Sequence, residues 1–136
     1  HIPIKILSSS EPLTIAKRLG AIDFIKKPIK ENELNKLIND LIDFSKSIEK
    51  SILIIEDDKV QAEYLKNFLT DKNITVKAFG TAKQGLKEIL TNKYDCAIVD
   101  LNLPDMSGFK LLKLIQKENI HFSFRNPEPY IYQGGF

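Results

Sequence analysis

Asp95-Cys-Ala-Ile-Val-Asp-Leu-Asn-Leu-Pro-Asp-Met-Ser-Gly108 is the stretch whose reading decides the fold. Its apolar run, Cys96 to Val99, is short and dense enough to predict a buried parallel strand. The run ends on a carboxylate, Asp100, and the chain then breaks at Pro104 and Gly108, residues that punctuate a loop. A lone Asp at a strand end is ordinarily a cap or turn residue. It acquires chemistry only if other parts of the chain bring charges to it.

Just upstream, Ser51-Ile-Leu-Ile-Ile55 predicts another apolar strand, and it ends in Glu56-Asp57-Asp58. Val60, Tyr64, Leu65, Phe68 and Leu69 then mark one face of a helix. Ile74 to Phe79 alternates as a strand, and Thr81-Ala-Lys-Gln84 reads as a capping box opening a helix through Leu90. Tyr94 to Asp100 is the central strand, and Phe109 to Gln116 predicts a further amphipathic helix. From His121 to Phe136 no period is legible, apart from a short strand signal at Tyr130 to Tyr132.

Further out, Ile2 to Leu7 reads as a strand closed by Ser8-Ser9-Ser10. Pro12 to Leu19 predicts a short helix, with Pro12 in its first turn and Gly20 as its stop. Ala21 to Ile25 predicts a strand leading into Lys26-Lys27-Pro28. Leu34, Leu37, Ile38, Leu41 and Ile42 give the helix from Glu31 to about Phe44 its apolar face, and residues 46–50 form a polar linker.

Five strands alternating with helices predict a parallel sheet covered on both faces. In such sheets chemistry gathers at the carboxyl ends of the strands. The polar residues expected there are Ser8 and Ser9, Lys27, Asp57 and Asp58, and Asp100.

Composition limits the alternatives. A chain of 136 residues with 43% apolar and 28% charged residues can bury a core as one domain. The net charge of +2, with lysines scattered among acids, argues against nucleic acid as a partner. No apolar run reaches membrane-spanning length, and no signal peptide is visible. The single cysteine, Cys96, excludes an internal disulfide and fits a reducing cytoplasm. The first residue is His1, which suggests a fragment.

Three carboxylates converging at strand ends make a hard oxygen site suited to Mg²⁺, which takes few carboxylates and bridges to phosphate oxygens. A lysine opposite supplies a charge for a phosphoryl oxygen, and a nearby hydroxyl can hydrogen-bond the group once it arrives. Each residue also has a plainer reading. Asp57 and Asp58 could be helix caps, Lys27 a surface lysine, and Ser8 a turn residue. Their shared address at strand ends favours the chemical reading.

Ile52 to Asp58 and Ile98 to Gly108 together resemble the receiver domain of two-component response regulators. The resemblance covers about residues 2–120. It implies a flavodoxin-like three-layer α/β fold with a five-stranded parallel sheet in the order 2-1-3-4-5. It makes Asp100 the phospho-acceptor. Asp57 and Asp58 would hold Mg²⁺, Asp58 more directly, with Asp100 and the Asn102 carbonyl as further ligands. Residues 2–9 resemble the family's fourth strand, with Ser8 as the switch hydroxyl. Ala21-Ile-Asp-Phe-Ile-Lys-Lys-Pro28 resembles its fifth, with Lys27 as the lysine and Phe24 as the switch aromatic.

The order of these features departs from the family. Fourth- and fifth-strand features come first, so residues 1–45 read as the C-terminal half of one receiver. Residues 51–120 read as the N-terminal half of the next, with 121–136 as a tail. Such a chain resembles tandem receivers of a hybrid histidine kinase, cut inside both. Pro129 to Gly134 could begin the second receiver's own fourth strand, with Gln133 where Ser or Thr is expected. The halves could close within one chain, as a circular permutant, or pair between chains, as a swapped homodimer. The permutant is the favoured expectation.

The expected function is phosphate uptake onto Asp100 from a histidine kinase or phosphotransfer domain, without enzymatic turnover beyond self-phosphorylation. A degenerate receiver serving only as an interaction module is the alternative. A phosphohydrolase using Asp100 as nucleophile ranks below both, because no further acid–base residue is in evidence.

Overall fold

In a computed structural model of the protein, residues 4–9, 23–44 and 49–125 are described; for residues 23, 24, 44 and 119–125 the description is of the backbone alone. Five strands form one sheet: β1 (Ile4–Ser8), β2 (Asp23–Lys26), β3 (Lys50–Ile55), β4 (Ile74–Phe79) and β5 (Cys96–Asp100). Every pairing is parallel, and the spatial order is β2-β1-β5-β3-β4. The strand ending in Asp100 is therefore central, as its uninterrupted apolar run requires.

Among the described residues, four helices cover the sheet: α1 (Glu31–Phe44), α2 (Lys59–Thr70), α3 (Ala82–Thr91) and α4 (Gly108–Arg125). The two-residue period of the strands decides which helix meets which face. Leu7, Ile52, Ile54, Cys96 and Ile98 pack with Leu34, Leu37 and Leu41 of α1 and Leu65 and Leu69 of α2. Their neighbours Ile6, Leu53, Ile55, Ala97 and Val99 pack on the opposite face with Ala82 of α3 and Leu111, Leu112 and Ile115 of α4. Each core leucine or isoleucine buried this way contributes about 1.5–3 kcal/mol. At Gly85 the approach of α3 to β3 is too close for a side chain, since a Cβ there would lie 2.2 Å from Ile55 Cδ1.

Element boundaries agree with the sequence expectation to within about two residues except at one helix. The last helix does not stop near Gln116 but runs to Arg125. Its apolar period is lost after Ile115, so no local pattern marks where the helix ends. The tail expected from 121 thus begins with helix, and Lys50 of the expected linker belongs to β3. The helix at Pro12–Leu19, Gly20, and the strand signal with Gln133 lie outside the described residues. Among the described residues, no helix is long and apolar enough to cross a membrane.

Candidate functional site

Parallel pairing brings the carboxyl ends of β1, β2, β3 and β5 to one edge of the sheet. Leu7 is in register with Asp100, and Ser8 with Lys26. Two backbone bonds carry this register past the strands. Leu101 donates its N–H to the Leu7 carbonyl at 2.9 Å, and Lys27 donates to the Ser8 carbonyl at 2.8 Å. Lys27 is thereby aimed from the end of β2 across β1 toward β5.

The side chains meet there. Lys27 Nζ lies 3.0 Å from Asp100 Oδ1 and 3.0 Å from Glu56 Oε2. Asp100 and Glu56 are each only 3% exposed, and Ser8 is buried beside them at the end of β1. One carboxylate oxygen each of Glu56, Asp57 and Asp100 can be chosen so that all lie within 4.8 Å of one another. Asp57 is the exposed member of that trio.

The electrostatics reflect crowding. Burial pushes the Glu56 carboxyl up to about 7, with the Asp100 charge acting the same way; the Asp58 N–H and Lys27 pull against them. The Asp58 N–H donates to Glu56 Oε1 at 3.1 Å. Glu56 Oε2 is fully enclosed, and Lys27 approaches it as an ion pair without a donor aligned for a hydrogen bond. Burial alone would lower the Lys27 pKa, but its pairing with Asp100 and Glu56 outweighs it and raises it.

The acidic run at 56–58 divides differently from the expectation. Asp57 joins the cluster with Asp100, but Asp58 does not. Its Oδ1 accepts from the Val60 and Gln61 N–H groups at 3.0 and 3.2 Å, the N-cap of α2. The acid that joins Asp57 is Glu56, which the sequence reading passed over. The legible signal was position: Glu56 directly follows the last paired residue of β3, whereas Asp58 directly precedes a helix. A carboxylate already capping two N–H groups is poorly placed to face a site.

The remaining candidates are placed as follows. The Asn102 N–H points at Asp100 Oδ1 from 3.4 Å, and Asn102 bridges to Ser107 across the loop. Phe24 is in register with Ile6, and its side chain lies outside the described residues. Gly108 opens α4 against β5: its N–H reaches the Leu101 carbonyl at 2.7 Å, and a Cβ would come within 2.8 Å of the Asp100 carbonyl oxygen. Asp105, also unanticipated, receives the N–H groups of Ala82 and Lys83 at 2.8 and 2.9 Å.

Three clustered hard oxygens, two on buried carboxylates and one on an exposed carboxylate, suit a small divalent cation such as Mg²⁺. The neighbouring lysine suits an anion whose charge is shared over several oxygens.

Comparison with known proteins bears on this site. A family model described as the response regulator receiver domain matches residues 52–127. The match includes Glu56, Asp57 and Asp100 and begins after Lys27. The transcriptional regulatory protein DltR of Streptococcus agalactiae serotype III (strain NEM316) is 35% identical over 69 residues, 51% of this chain and 31% of that protein. The response regulator ArlR of Staphylococcus haemolyticus (strain JCSC1435) is 35% identical over 68 residues, 50% of this chain and 31% of that protein. The transcriptional regulatory protein CusR of Escherichia coli (strain K12) is 32% identical over 68 residues, 50% of this chain and 30% of that protein. The chain therefore spans about a third of the length of these curated relatives. No solved structure gives a significant match. A family match over more than half of the chain, including the strand that ends in Asp100, makes this protein a member of the response regulator receiver domain family.

Proposed function

We propose that this chain is a phospho-acceptor module of two-component signalling, taking a phosphoryl group from a histidine kinase or phosphotransfer domain onto Asp100. The observation that carries this reading is the position of Lys27 Nζ, 3.0 Å from both Asp100 and Glu56. An ammonium there can neutralise charge on a phosphoryl group bound to Asp100 and offset the surrounding carboxylates. Lys27 and the Asn102 N–H both address Oδ1. Oδ2 is then the oxygen that attacks phosphorus. As the new O–P bond forms, the donor's P–N bond breaks and its electron pair stays on the donor's ring nitrogen.

Glu56, Asp57 and Asp100 would hold Mg²⁺, replacing the expected Asp57–Asp58 pair, with the Asn102 carbonyl as a further ligand. Bound Mg²⁺ would neutralise phosphoryl oxygens. Ser8, beside Asp100 at the end of β1, would hydrogen-bond the arriving phosphoryl group, and Phe24 on β2 would report the change as the switch aromatic.

The circular-permutant reading belongs to the same proposal. Counting from β3 as the first strand, the spatial order β2-β1-β5-β3-β4 becomes 5-4-3-1-2, the receiver order read from its other edge. Closure within one chain is supported by the Lys27–Asp100 pair and by the β1–β5 pairing.

The test is incubation with Mg²⁺ and a small phosphodonor, read by mass spectrometry, and with beryllofluoride, read at the Ser8 and Phe24 amides by NMR. Uptake that disappears in Asp100→Asn supports the reading. Absence of uptake, or uptake that survives that substitution, rejects it. Light scattering that finds only dimers would reject the permutant in favour of a swap.

A further inference from the structure

The loop that follows Asp100 is fastened at both ends, bridged across by Asn102 and Ser107, and tied once to a neighbouring helix. At its start, the Leu101 N–H is bound to Leu7 of β1; at its end, the Gly108 N–H returns to Leu101. Between them, Asp105 reaches out of the loop to the first turn of α3. Its two carboxylate oxygens take one N–H each, Ala82 on Oδ1 and Lys83 on Oδ2. The next N–H, that of Gln84, is taken by Thr81 Oγ1 at 3.2 Å. The helix therefore carries an ordinary cap from its own segment and a second, charged cap from a residue more than twenty positions later. A carboxylate at the positive end of a helix makes strong charge-assisted bonds. They hold its pKa below the ordinary range despite slight burial acting the other way.

The anchor that Asp105 grips is closely packed. Ala82 is fully buried, and Gly85 lets α3 sit against Ile55 with no room to shift inward. The element that Asp105 positions is less securely held where it matters. The Asn102 N–H stands 3.4 Å from Asp100 Oδ1, longer than a good hydrogen bond, so a small loop displacement decides whether it engages.

We propose that Asp105 is a positioning residue for the acceptor site, tying the 101–107 loop to α3 so that its backbone groups stand ready around Asp100. The inference rests on the phospho-acceptor reading and adds a residue that touches neither metal nor phosphoryl group. Groups one step removed from a metal site characteristically change its affinity when lost. Thr81 is the built-in control, because its hydroxyl caps the same helix end through the Gln84 N–H.

The experiment titrates Mg²⁺ in the presence of beryllofluoride and follows the amide signals around Asp100 by NMR. It uses the full chain as wild type, Asp105→Ala, Asp105→Asn and Thr81→Ala, with thermal melts alongside. Asp105→Ala is expected to need about 10-fold more Mg²⁺. Asp105→Asn, which keeps one acceptor and folds if the alanine variant does not, should recover part of that loss. Thr81→Ala should melt earlier yet bind as wild type does. Wild-type binding by both Asp105 variants overturns the inference, as does an equal loss in Thr81→Ala. A wild-type chain that gives no response overturns the acceptor reading, and the inference with it.

Discussion

Toward the amino ends of the strands, carboxylates are surrounded by donors. Glu88 Oε1 accepts from the Tyr94 hydroxyl and from Asn92 Nδ2 at 3.0 Å, with Lys77 Nζ at 3.5 Å. Asp95 Oδ2 accepts from the Ser51 N–H at 2.8 Å, while the Asp95 N–H returns to the Ser51 carbonyl at 2.9 Å. Toward the carboxyl ends the ratio reverses. Glu56, Asp57 and Asp100 crowd together around Lys27, and Glu56 Oε2 is buried without a hydrogen bond. The pKa directions follow. The Tyr94 hydrogen bond, foremost, holds Glu88 below the usual carboxylate range, whereas burial drives Glu56 above it. Satisfied acids fasten β3, β4, β5 and α3 to one another. At the other end the crowded acids, with one Glu56 oxygen lacking a hydrogen bond, cost stability instead.

Four measurements can break or sharpen this contrast. The largest effect is expected on phosphoryl uptake from a small donor with Mg²⁺, followed by mass spectrometry. Asp100→Asn should abolish it, Lys27→Ala should slow it on the order of 100-fold, and Glu88→Gln should leave it unchanged. Equal losses at both ends would erase the distinction.

Next is the sign of a stability change. In chelator, Glu56→Gln should stabilise the protein by on the order of 2 kcal/mol at pH 8, read by urea denaturation. The folded-state pKa of Glu56, about 7, lies above the ordinary 4.5. The wild type therefore keeps its full stability below the lower value and loses this contribution as pH rises toward the upper one. The gain should vanish in acid, and a destabilised glutamine variant at pH 8 would contradict the crowding argument.

At the opposite end the sign should invert. Asp95→Ala removes the acceptor from the Ser51 N–H and should cost about 1–2 kcal/mol, with uptake at Asp100 intact. The smallest effect is expected for Tyr94→Phe, about 1 kcal/mol or less, since it removes one hydrogen bond and keeps the ring. Its thermal melt should shift down slightly, with beryllofluoride binding unchanged.

Much of the fold was legible because its signals are local. Unbroken apolar runs at 52–55 and 96–99 name buried strands, and the stripe from Leu34 to Leu41 names a helix face. Where local signals faded the reading faltered, as in α4, whose apolar period ends before its helix does. The candidate site was legible in part. Asp100, Lys27 and Ser8 all fall at strand ends, but three consecutive acids at 56–58 offered no local way to tell ligand from cap. Asp105 was invisible for a related reason: its partners are the N–H groups of Ala82 and Lys83, and backbone donors leave no mark in a sequence.

The sequence by itself determined which residue types stand at the ends of which strands, and so the kind of chemistry the chain can hold. Periodicity is a property of neighbouring residues and needs no knowledge of the rest of the chain. Only the tertiary structure decided that Glu56 rather than Asp58 groups with Asp57 and Asp100, and that Lys27 stands beside Asp100 although 73 residues separate them in sequence. Both outcomes depend on the register of β1 against β5 and on where α2 begins. Those are set by burial of both sheet faces at once, a condition no single segment can satisfy alone.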